Sequence, residues 1–243
     1  MDKTSGELAN MLVGNDSNNK LIEATMVGPK LEFNKDITIA ITGANMSPMV
    51  NGNPVNNNGA LSIKQGSILS FGKLINGYRT YIAVSGSLTN SDNLVFKNGD
   101  EIGVEKINIK STSPPNSKVG RVLKPTTVLD VFIAPEFDLL TEASKKEIFN
   151  TKFTIHTDSN RMGYRTNGEK LNLINDNSIL TSSVQPGTVQ LPPNGQPIIL
   201  MRDCQTTGGY PRVLQLSESA INNIAQLKPG DKFSFKPYHH SSF

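Results

Sequence analysis

The chain has 243 residues, of which 24 are basic and 21 acidic, and a formal net charge of +3. The basic residues are scattered along the sequence, which excludes the basic patch of a nucleic-acid-binding protein. The single cysteine, Cys204, excludes an intrachain disulfide. No apolar run reaches membrane-spanning length, and the first residues lack the apolar segment of a signal peptide. We therefore expect a cytoplasmic protein with no nucleic-acid partner and no membrane partner.

The chain begins with a predicted helix and continues into predicted strands. Leu8, Met11 and Leu12 lie on one helical face, and Gly14 supplies a C-terminal stop. Alternation with a period of two, rich in β-branched residues, then predicts strands in three clear places, namely 37–42, 78–84 and 126–133.

A Lys-x-Gly turn recurs three times, with its glycine at Gly66, Gly99 and Gly230. Glycine tolerates the positive φ that such turns demand, and each turn leads into an alternating strand. Turns of this kind, repeated along a chain, are typical of barrels or sandwiches.

A breaker-rich segment at 110–118 divides the sequence and is the best candidate for a linker. We expect an N-terminal β lobe at 1–109 and a C-terminal β lobe at 119–243. Two more short helices are predicted in the second lobe, one capped by Thr141 and the other by Ser217 or Ser219. The predicted fold is therefore mainly β, with two barrel-like lobes and a few short helices.

Several familiar sites are absent from the sequence. No Walker-type phosphate loop and no Gly-x-Gly-x-x-Gly after a strand occurs. Because cysteine and histidine are not clustered, we expect no metal site. Cys204 is a possible nucleophile, but no histidine lies near it in sequence, and a half-buried thiol without a chemical role is the favoured interpretation.

The densest set of polar groups follows the apolar run at 197–201. Asp203 contributes a charge, Gln205 an amide, and Thr206 and Thr207 two hydroxyls, all of which suit a ligand. The segment continues with Gly208, Gly209 and Tyr210. The two glycines permit close approach to the backbone or a nest of N–H groups for an anion. A tight loop whose threonines bond their own backbone is the equally favoured alternative.

A second cluster of polar residues spans 158–165. Two arginines four residues apart, Arg161 and Arg165, present planar forks that suit a carboxylate or a phosphate. The alternative is a loop in which the arginines pair with Asp158 or Glu169. A third segment at 192–197 is predicted to be a turn that enters the next strand.

These segments resemble a family known as allophanate hydrolase subunit 2, KipA or the C subunit of 5-oxoprolinase. The resemblance rests on Ser-Asn-Arg-Met-Gly-Tyr-Arg at 159–165 and Gly-Thr-Val-Gln-Leu-Pro-Pro-Asn-Gly-Gln-Pro at 187–197. It rests most specifically on Asp-Cys-Gln-Thr-Thr-Gly-Gly-Tyr-Pro at 203–211. Weaker matches at 9–15, 27–29, 42–44 and 79–86 extend it over nearly the whole chain.

The resemblance implies cyclophilin-like barrels and an activity shared with other subunits. Together with a KipI-like protein and a LamB/YcsF-like protein, such chains open 5-oxoproline to glutamate using ATP. The same modules, when fused, form the carboxyltransferase of a biotin-dependent urea carboxylase, which is one alternative. A second alternative is a non-catalytic protein that binds a KipI-like partner.

The resemblance also implies which residues act on a small-molecule substrate. Asp203 and Thr207 are the expected catalytic residues. The expected substrate-binding residues are Arg161, Met162, Gly163, Tyr164, Arg165, Gln196, Gln205, Thr206, Gly208, Gly209 and Tyr210.

The sequence departs from the family pattern in two places. Asn160 stands where the family has aspartate, and the stretch at 87–95 is a short bridge where the family carries a longer segment. The match also begins after the family's usual first segment. We therefore expect a shortened member that is inactive without its partners.

Overall fold

The computed structural model describes residues 1–89, 95–105, 126–175 and 181–238. The chain divides into two compact units, one of Asp2–Lys124 and one of Pro125–Phe243 together with Met1. The predicted linker at 110–118 lies outside the described residues. No helix in the described ranges has the length and apolarity that crossing a bilayer requires.

The unit Asp2–Lys124 is built from one helix and short antiparallel strands. Its elements are α1 (Lys3–Leu12), β1 (Ile22–Thr25), β2 (Leu31–Glu32), β3 (Ile37–Asn45), β4 (Pro48–Val50), β5 (Asn53–Pro54), β6 (Ala60–Ile63), β7 (Ile68–Phe71), β8 (Asn76–Val84), β9 (Ser87–Thr89) and β10 (Gly103–Glu105). One sheet has the order β1-β8-β3-β6 and a second the order β2-β7-β4-β5, and β9 pairs with β10. Apolar side chains of both four-stranded sheets share one core.

Helix α1 packs on the first of these sheets through small side chains. Ala9 and Leu12 are buried against Ala40 and Ala83 of β3 and β8. Met11 is 59% exposed, so the predicted apolar face of this helix is wrong at that position. Alanine at both sides of the contact brings the helix close to the sheet, which leaves the long side chain of Met11 on the outer face.

The unit Pro125–Phe243 contains a closed barrel. Its elements are β11 (Val128–Ile133), a 3-10 turn (Phe137–Leu139), α2 (Glu142–Asn150), β12 (Phe153–Ile155), β13 (Gly163–Asn167), β14 (Ser182–Ser183), β15 (Thr188–Gln190), β16 (Ile198–Leu200), β17 (Thr207–Gly208), β18 (Arg212–Leu216), α3 (Glu218–Ile224) and β19 (Lys232–Pro237). The barrel order is β11-β18-β15-β16-β13-β12-β19, and β14 and β17 form a separate two-stranded ribbon. The predicted mainly β fold with barrel architecture and a few short helices is confirmed.

Aromatic side chains fill the barrel. The Phe153 and Phe235 rings lie 5.5 Å apart, and the Phe233 and Phe235 rings 5.3 Å apart in an edge-on arrangement. Tyr164 of β13 is in the same core. Because side chains alternate along a strand, Arg165 beside it is exposed. Alternation along β13 thus places the Arg165 side chain on the outside of the barrel wall.

The glycine turns and helix caps that the sequence predicts are confirmed. Gly66, Gly99 and Gly230 have φ angles of 79°, 93° and 90°, as the repeated Lys-x-Gly turn predicts. Thr141 caps α2 by accepting a hydrogen bond from the backbone N–H of Ser144. Ser217, rather than Ser219, is the cap of α3.

The pair of Glu136 and Arg212 predicts a dependence of stability on pH. Arg212 of β18 holds Glu136 through two side-chain bonds of 2.7 Å. This guanidinium lowers the pKa of Glu136 below its ordinary value of 4.5. A lowered folded-state pKa contributes stability that is fully present above about pH 4.5 and is lost as the pH falls through the folded pKa. Replacing Glu136 with Gln should therefore lower the free energy of unfolding at pH 7 by about 1.5–3 kcal/mol.

The measurement is urea denaturation of both proteins between pH 7 and pH 3. The difference in unfolding free energy between wild type and Glu136→Gln should shrink as the pH is lowered. A difference that stays constant over this range would contradict the assigned role of the pair.

Candidate functional site

The motif loop, defined as residues 203–211, connects β16 to β18 and is fixed by its backbone. The N–H of Asp203 donates to the carbonyl of Arg161 at 3.0 Å, which extends the pairing of β16 with β13. In its middle the loop forms β17, which pairs with β14. At its end, Leu191 N–H donates to the Pro211 carbonyl at 2.9 Å. The path of the loop is therefore set by main-chain bonds.

The polar side chains of the motif loop point outward. Gln205, Thr206 and Thr207 are exposed, and the phenol of Tyr210 is 44% exposed. Within the described part of the chain, none of these four side chains has a hydrogen bond or ion pair. Among these residues the structure therefore does not show the alternative, a loop whose threonine hydroxyls bond their own backbone. Their donors and acceptors are open to a ligand.

The two glycines of the loop differ in their surroundings. A Cβ on Gly208 would lie 2.5 Å from the amide nitrogen of Gln190, whereas one on Gly209 would meet nothing within 4 Å. Neither glycine has a positive φ. The two glycines therefore do not form the αR-αL type of anion nest, which needs a residue in the left-handed region. Close packing explains Gly208 instead.

An ion pair joins the motif loop to the second cluster. Arg161 Nε donates to Asp203 Oδ2 at 2.6 Å, and Arg161 Nη2 donates to Asp203 Oδ1 at 3.1 Å. The two side chains are 44% and 50% exposed. This two-point contact fixes the orientation of the Asp203 carboxylate while leaving part of it accessible. The residues that the sequence placed in separate motifs are thus brought together.

Arg165 lies in different surroundings from Arg161. It lines a cleft of about 340 Å³ with His156, Asp158 and Asn194, and Arg161 is not part of that lining. No side-chain partner of Arg165 exists among the described residues. The cleft therefore presents an accessible guanidinium that is suited to an oxyanion.

Gln196 belongs to the wall of this cleft and is held by backbone. Its Nε2 donates to the Gly168 carbonyl at 3.0 Å, and its Oε1 accepts from the Gly168 N–H at 2.9 Å. Both ends of the amide are thereby occupied. We assign Gln196 the role of fixing the wall.

The remaining residues of the second cluster lie in the barrel core, in the barrel wall or at a turn. Tyr164 is 1% exposed and lies in the barrel core, which corrects its assignment as a substrate-binding residue. The sequence suggested a loop here, but the segment is strand β13, whose alternation turns this ring inward. Gly163 pairs with Leu200 in the barrel wall. Met162 is 54% exposed and lies at the turn that Asn160 Oδ1 closes.

A larger cleft adjoins the ribbon of the motif loop. It has a volume of about 490 Å³ and is lined by Phe132, Ile133, Ser183 and Arg212, among others. Ser183 is the strand partner of Thr207. The volume suits a small molecule, since ligand clefts usually span about 300–1,000 Å³.

Comparison with known proteins identifies the family. A family model described as carboxyltransferase domain, subdomain A and B, matches residues 1–237. The chain belongs to this family.

Several relatives of this carboxyltransferase domain are informative. The C subunit of 5-oxoprolinase from Escherichia coli (strain K12) is 31% identical over 97% of this chain and 80% of that protein. The urea amidolyase of Saccharomyces cerevisiae is 26% identical over all of this chain, which spans 15% of that protein. The crystal structure of the K. lactis urea amidolyase superposes with a TM-score of 0.87 at 26% identity, covering 98% of this chain and 17% of that one. The resemblance predicted from the motifs is confirmed.

Gln190 of the carboxyltransferase domain is a residue whose position beside the motif loop no sequence motif indicates. It is 2% exposed at the end of β15, and its Nε2 donates to the Tyr210 carbonyl at 3.3 Å. The signal that the sequence offered for this residue was an amide side chain at the end of a buried strand. Its contact with the motif loop depends on tertiary structure.

The thiol of Cys204 is predicted to react slowly in the folded protein. Burial raises the pKa of the Cys204 thiol above its ordinary value of 9.0, which keeps it protonated at neutral pH. Because the thiolate is the nucleophile, alkylation of the folded protein at pH 8 should be slower than that of a free thiol. Iodoacetamide labelling followed by mass spectrometry measures this rate without ambiguity, since Cys204 is the single cysteine. Labelling as fast in the folded as in the urea-unfolded protein would contradict the prediction.

Proposed function

We propose that the chain is the C subunit of an ATP-dependent 5-oxoprolinase that opens 5-oxoproline to glutamate. It would act with a KipI-like B subunit and a LamB/YcsF-like A subunit. The identity of 31% to the C subunit of a 5-oxoprolinase over 97% of this chain supports the assignment to that activity. The observation that carries a direct role in the chemistry is the motif loop, whose polar side chains face outward without partners beside the oriented Asp203.

The chemistry of opening a lactam fits the groups at this loop. Opening the ring adds water across its C–N bond, so that the nitrogen leaves as an amine that has gained a proton. Before this step the ring N–H is a hydrogen-bond donor, and the Asp203 carboxylate, oriented by Arg161, is an acceptor that would orient the lactam. The activated carbonyl group gathers negative charge, and the Thr207 hydroxyl is a donor suited to hold it. Ser183, the strand partner of Thr207, lines a cleft with the volume for such a ring. Cys204 has no part in this scheme.

ATP is a substrate of the proposed complex. The sequence has no Walker-type loop, and no group of three or more His, Cys, Asp or Glu suited to a metal ion occurs among the described residues. We therefore assign the nucleotide to the assembled complex. This assignment makes activity dependent on the partner proteins.

A second candidate function rests on the structural match to urea amidolyase. In this case the chain is the carboxyltransferase half of a biotin-dependent urea carboxylase, and the motif loop would face the carboxyl group carried on biotin. The TM-score of 0.87 to the K. lactis enzyme favours this alternative. The two functions differ in a required component, because only the second needs a biotinylated carrier.

The proposed function predicts a stable complex. Co-expression of the chain with KipI-like and LamB/YcsF-like proteins from the same source should give a heteromer that stays together on size exclusion at micromolar concentration. The purified complex should release glutamate from 5-oxoproline only when ATP is present. Separate elution of the chain and its proposed partners would contradict the proposal. Activity that requires a biotinylated carrier and urea would establish the second candidate instead.

The proposed chemistry predicts the effect of changes in the motif loop. Thr207→Val and Asp203→Asn should each lower the turnover of the complex on the order of 10²-fold, because each removes a group that contacts the reacting atoms. Both side chains are exposed, so the melting temperature should shift by roughly 2 °C or less. Thr127→Val is the matched control, since Thr127 is an exposed threonine outside the site.

The readouts are ATP-dependent glutamate release and differential scanning fluorimetry on the same preparations. Full turnover in both site variants would remove the motif loop from the chemistry. A comparable loss of turnover in Thr127→Val would show that the assay reports general damage.

A further inference from the structure

Gln190 lies between the barrel wall and the motif loop. Along β15, Thr188 and Gln190 share one face, and Val189 between them faces the apolar core. Gln190 is nevertheless 2% exposed. The residues that its amide contacts, Gly208 and Tyr210, both belong to the motif loop, which therefore covers this outward face of the strand.

A bulge in the barrel sheet occurs at the same place. The register of β15 with β18 shifts between Val189, which opposes Leu214, and Gln190, which opposes Arg212. Val213 is the extra residue on β18. A bulge re-aims the neighbouring side chain, and bulges are frequent beside functional sites. The irregularity thus falls at the residue whose side chain supports the loop.

Any side chain on Gly208 would force the amide of Gln190 to move. An added Cβ on Gly208 would lie 2.5 Å from Nε2, 3.3 Å from Cδ and 3.4 Å from Oε1 of the Gln190 amide. The whole amide group of Gln190 thus occupies the space that a side chain on Gly208 would need. Gly208 has no positive φ, so conformational freedom does not account for glycine at this position.

We propose that Gln190 is a positioning residue that holds the motif loop in its ligand-facing shape, with Gly208 as the residue that leaves room for its amide. The amide supports the loop from beneath at Gly208 and binds the carbonyl of Tyr210. Thr207 directly precedes Gly208 in the chain. A movement of the Gln190 amide therefore displaces the Thr207 hydroxyl, which is assigned to the chemistry. The consequence for turnover rests on the proposed function, whereas the consequence for loop geometry does not.

The first test needs no ligand and no partner protein. Hydrogen exchange measured by mass spectrometry should show the segment 205–210 exchanging about fivefold faster in Gln190→Leu, as expected for the loss of one neutral hydrogen bond. Exchange in β12 and β19 should be unchanged. Thr188→Val is the matched control, because it removes the partly buried hydrogen bonds of Thr188 with Gln215 and Gln185 from the same strand, and neither partner belongs to the motif loop.

The second test uses the close contact itself. Gly208→Ala should accelerate exchange of the loop in the wild-type background, because its methyl group displaces the Gln190 amide. In a Gln190→Ala background the same change should have little effect or slow the exchange, since the space is then empty. Gly209→Ala, which adds a methyl group where nothing lies within 4 Å, is the control for glycine replacement. Equal effects of Gly208→Ala in both backgrounds would overturn the proposal.

The third test measures turnover in the assembled complex. Gln190→Ala should lower glutamate release, and adding Gly208→Ala should restore part of it, whereas Gly208→Ala alone should be harmful. A residue with only a general structural role would not give this reversal of sign. If the exchange data show the coupling but the wild-type complex releases no glutamate, the positioning role stands and the proposed function fails. Loss of turnover with no coupling in either measurement would overturn the positioning role.

Discussion

Parallel pairing of β19 with β11 closes the barrel, and this closure constrains the rest of the C-terminal unit. In a small closed barrel every strand gives one face to a packed interior. Here that interior is apolar and aromatic, with Phe153, Phe233 and Tyr164 among its largest members. Charged groups at the rim and the outer wall can serve a ligand, but the inside cannot accommodate one. The candidate site therefore lies on connections that run outside the wall.

In the motif loop the backbone and the side chains have different roles. Main-chain bonds to Arg161, Val184 and Leu191 fix its path, so its hydroxyl and amide groups are not consumed in holding it. A site whose geometry is fixed by supporting contacts loses less entropy when it binds. The Gln190 amide adds support from the barrel wall. The backbone of the loop is thus held by main-chain bonds, and the Gln205, Thr206 and Thr207 side chains are left exposed.

Charged pairs in this unit divide into two kinds by their exposure. The pair of Glu136 and Arg212 is mostly buried, at 17% and 20% exposure, and stabilises the wall. The pair of Arg161 and Asp203 is about half exposed, and exposed pairs contribute little to stability. What the pair of Arg161 and Asp203 contributes is the orientation of the Asp203 carboxylate at the motif loop. The same kind of arginine–carboxylate pair thus stabilises the barrel wall in one place and orients a carboxylate of the candidate site in the other.

The sequence by itself determined the features that depend on neighbours along the chain. Turn glycines such as Gly66 and Gly230, the Thr141 cap and the mainly β character follow from local backbone preferences, which are legible residue by residue. The motif strings also sufficed to recognise the family. Tertiary structure alone decided that Arg161 meets Asp203, that Tyr164 turns inward and that Gln190 lies beneath the loop. These contacts depend on strand register and barrel closure, which join residues far apart in sequence and leave no local pattern.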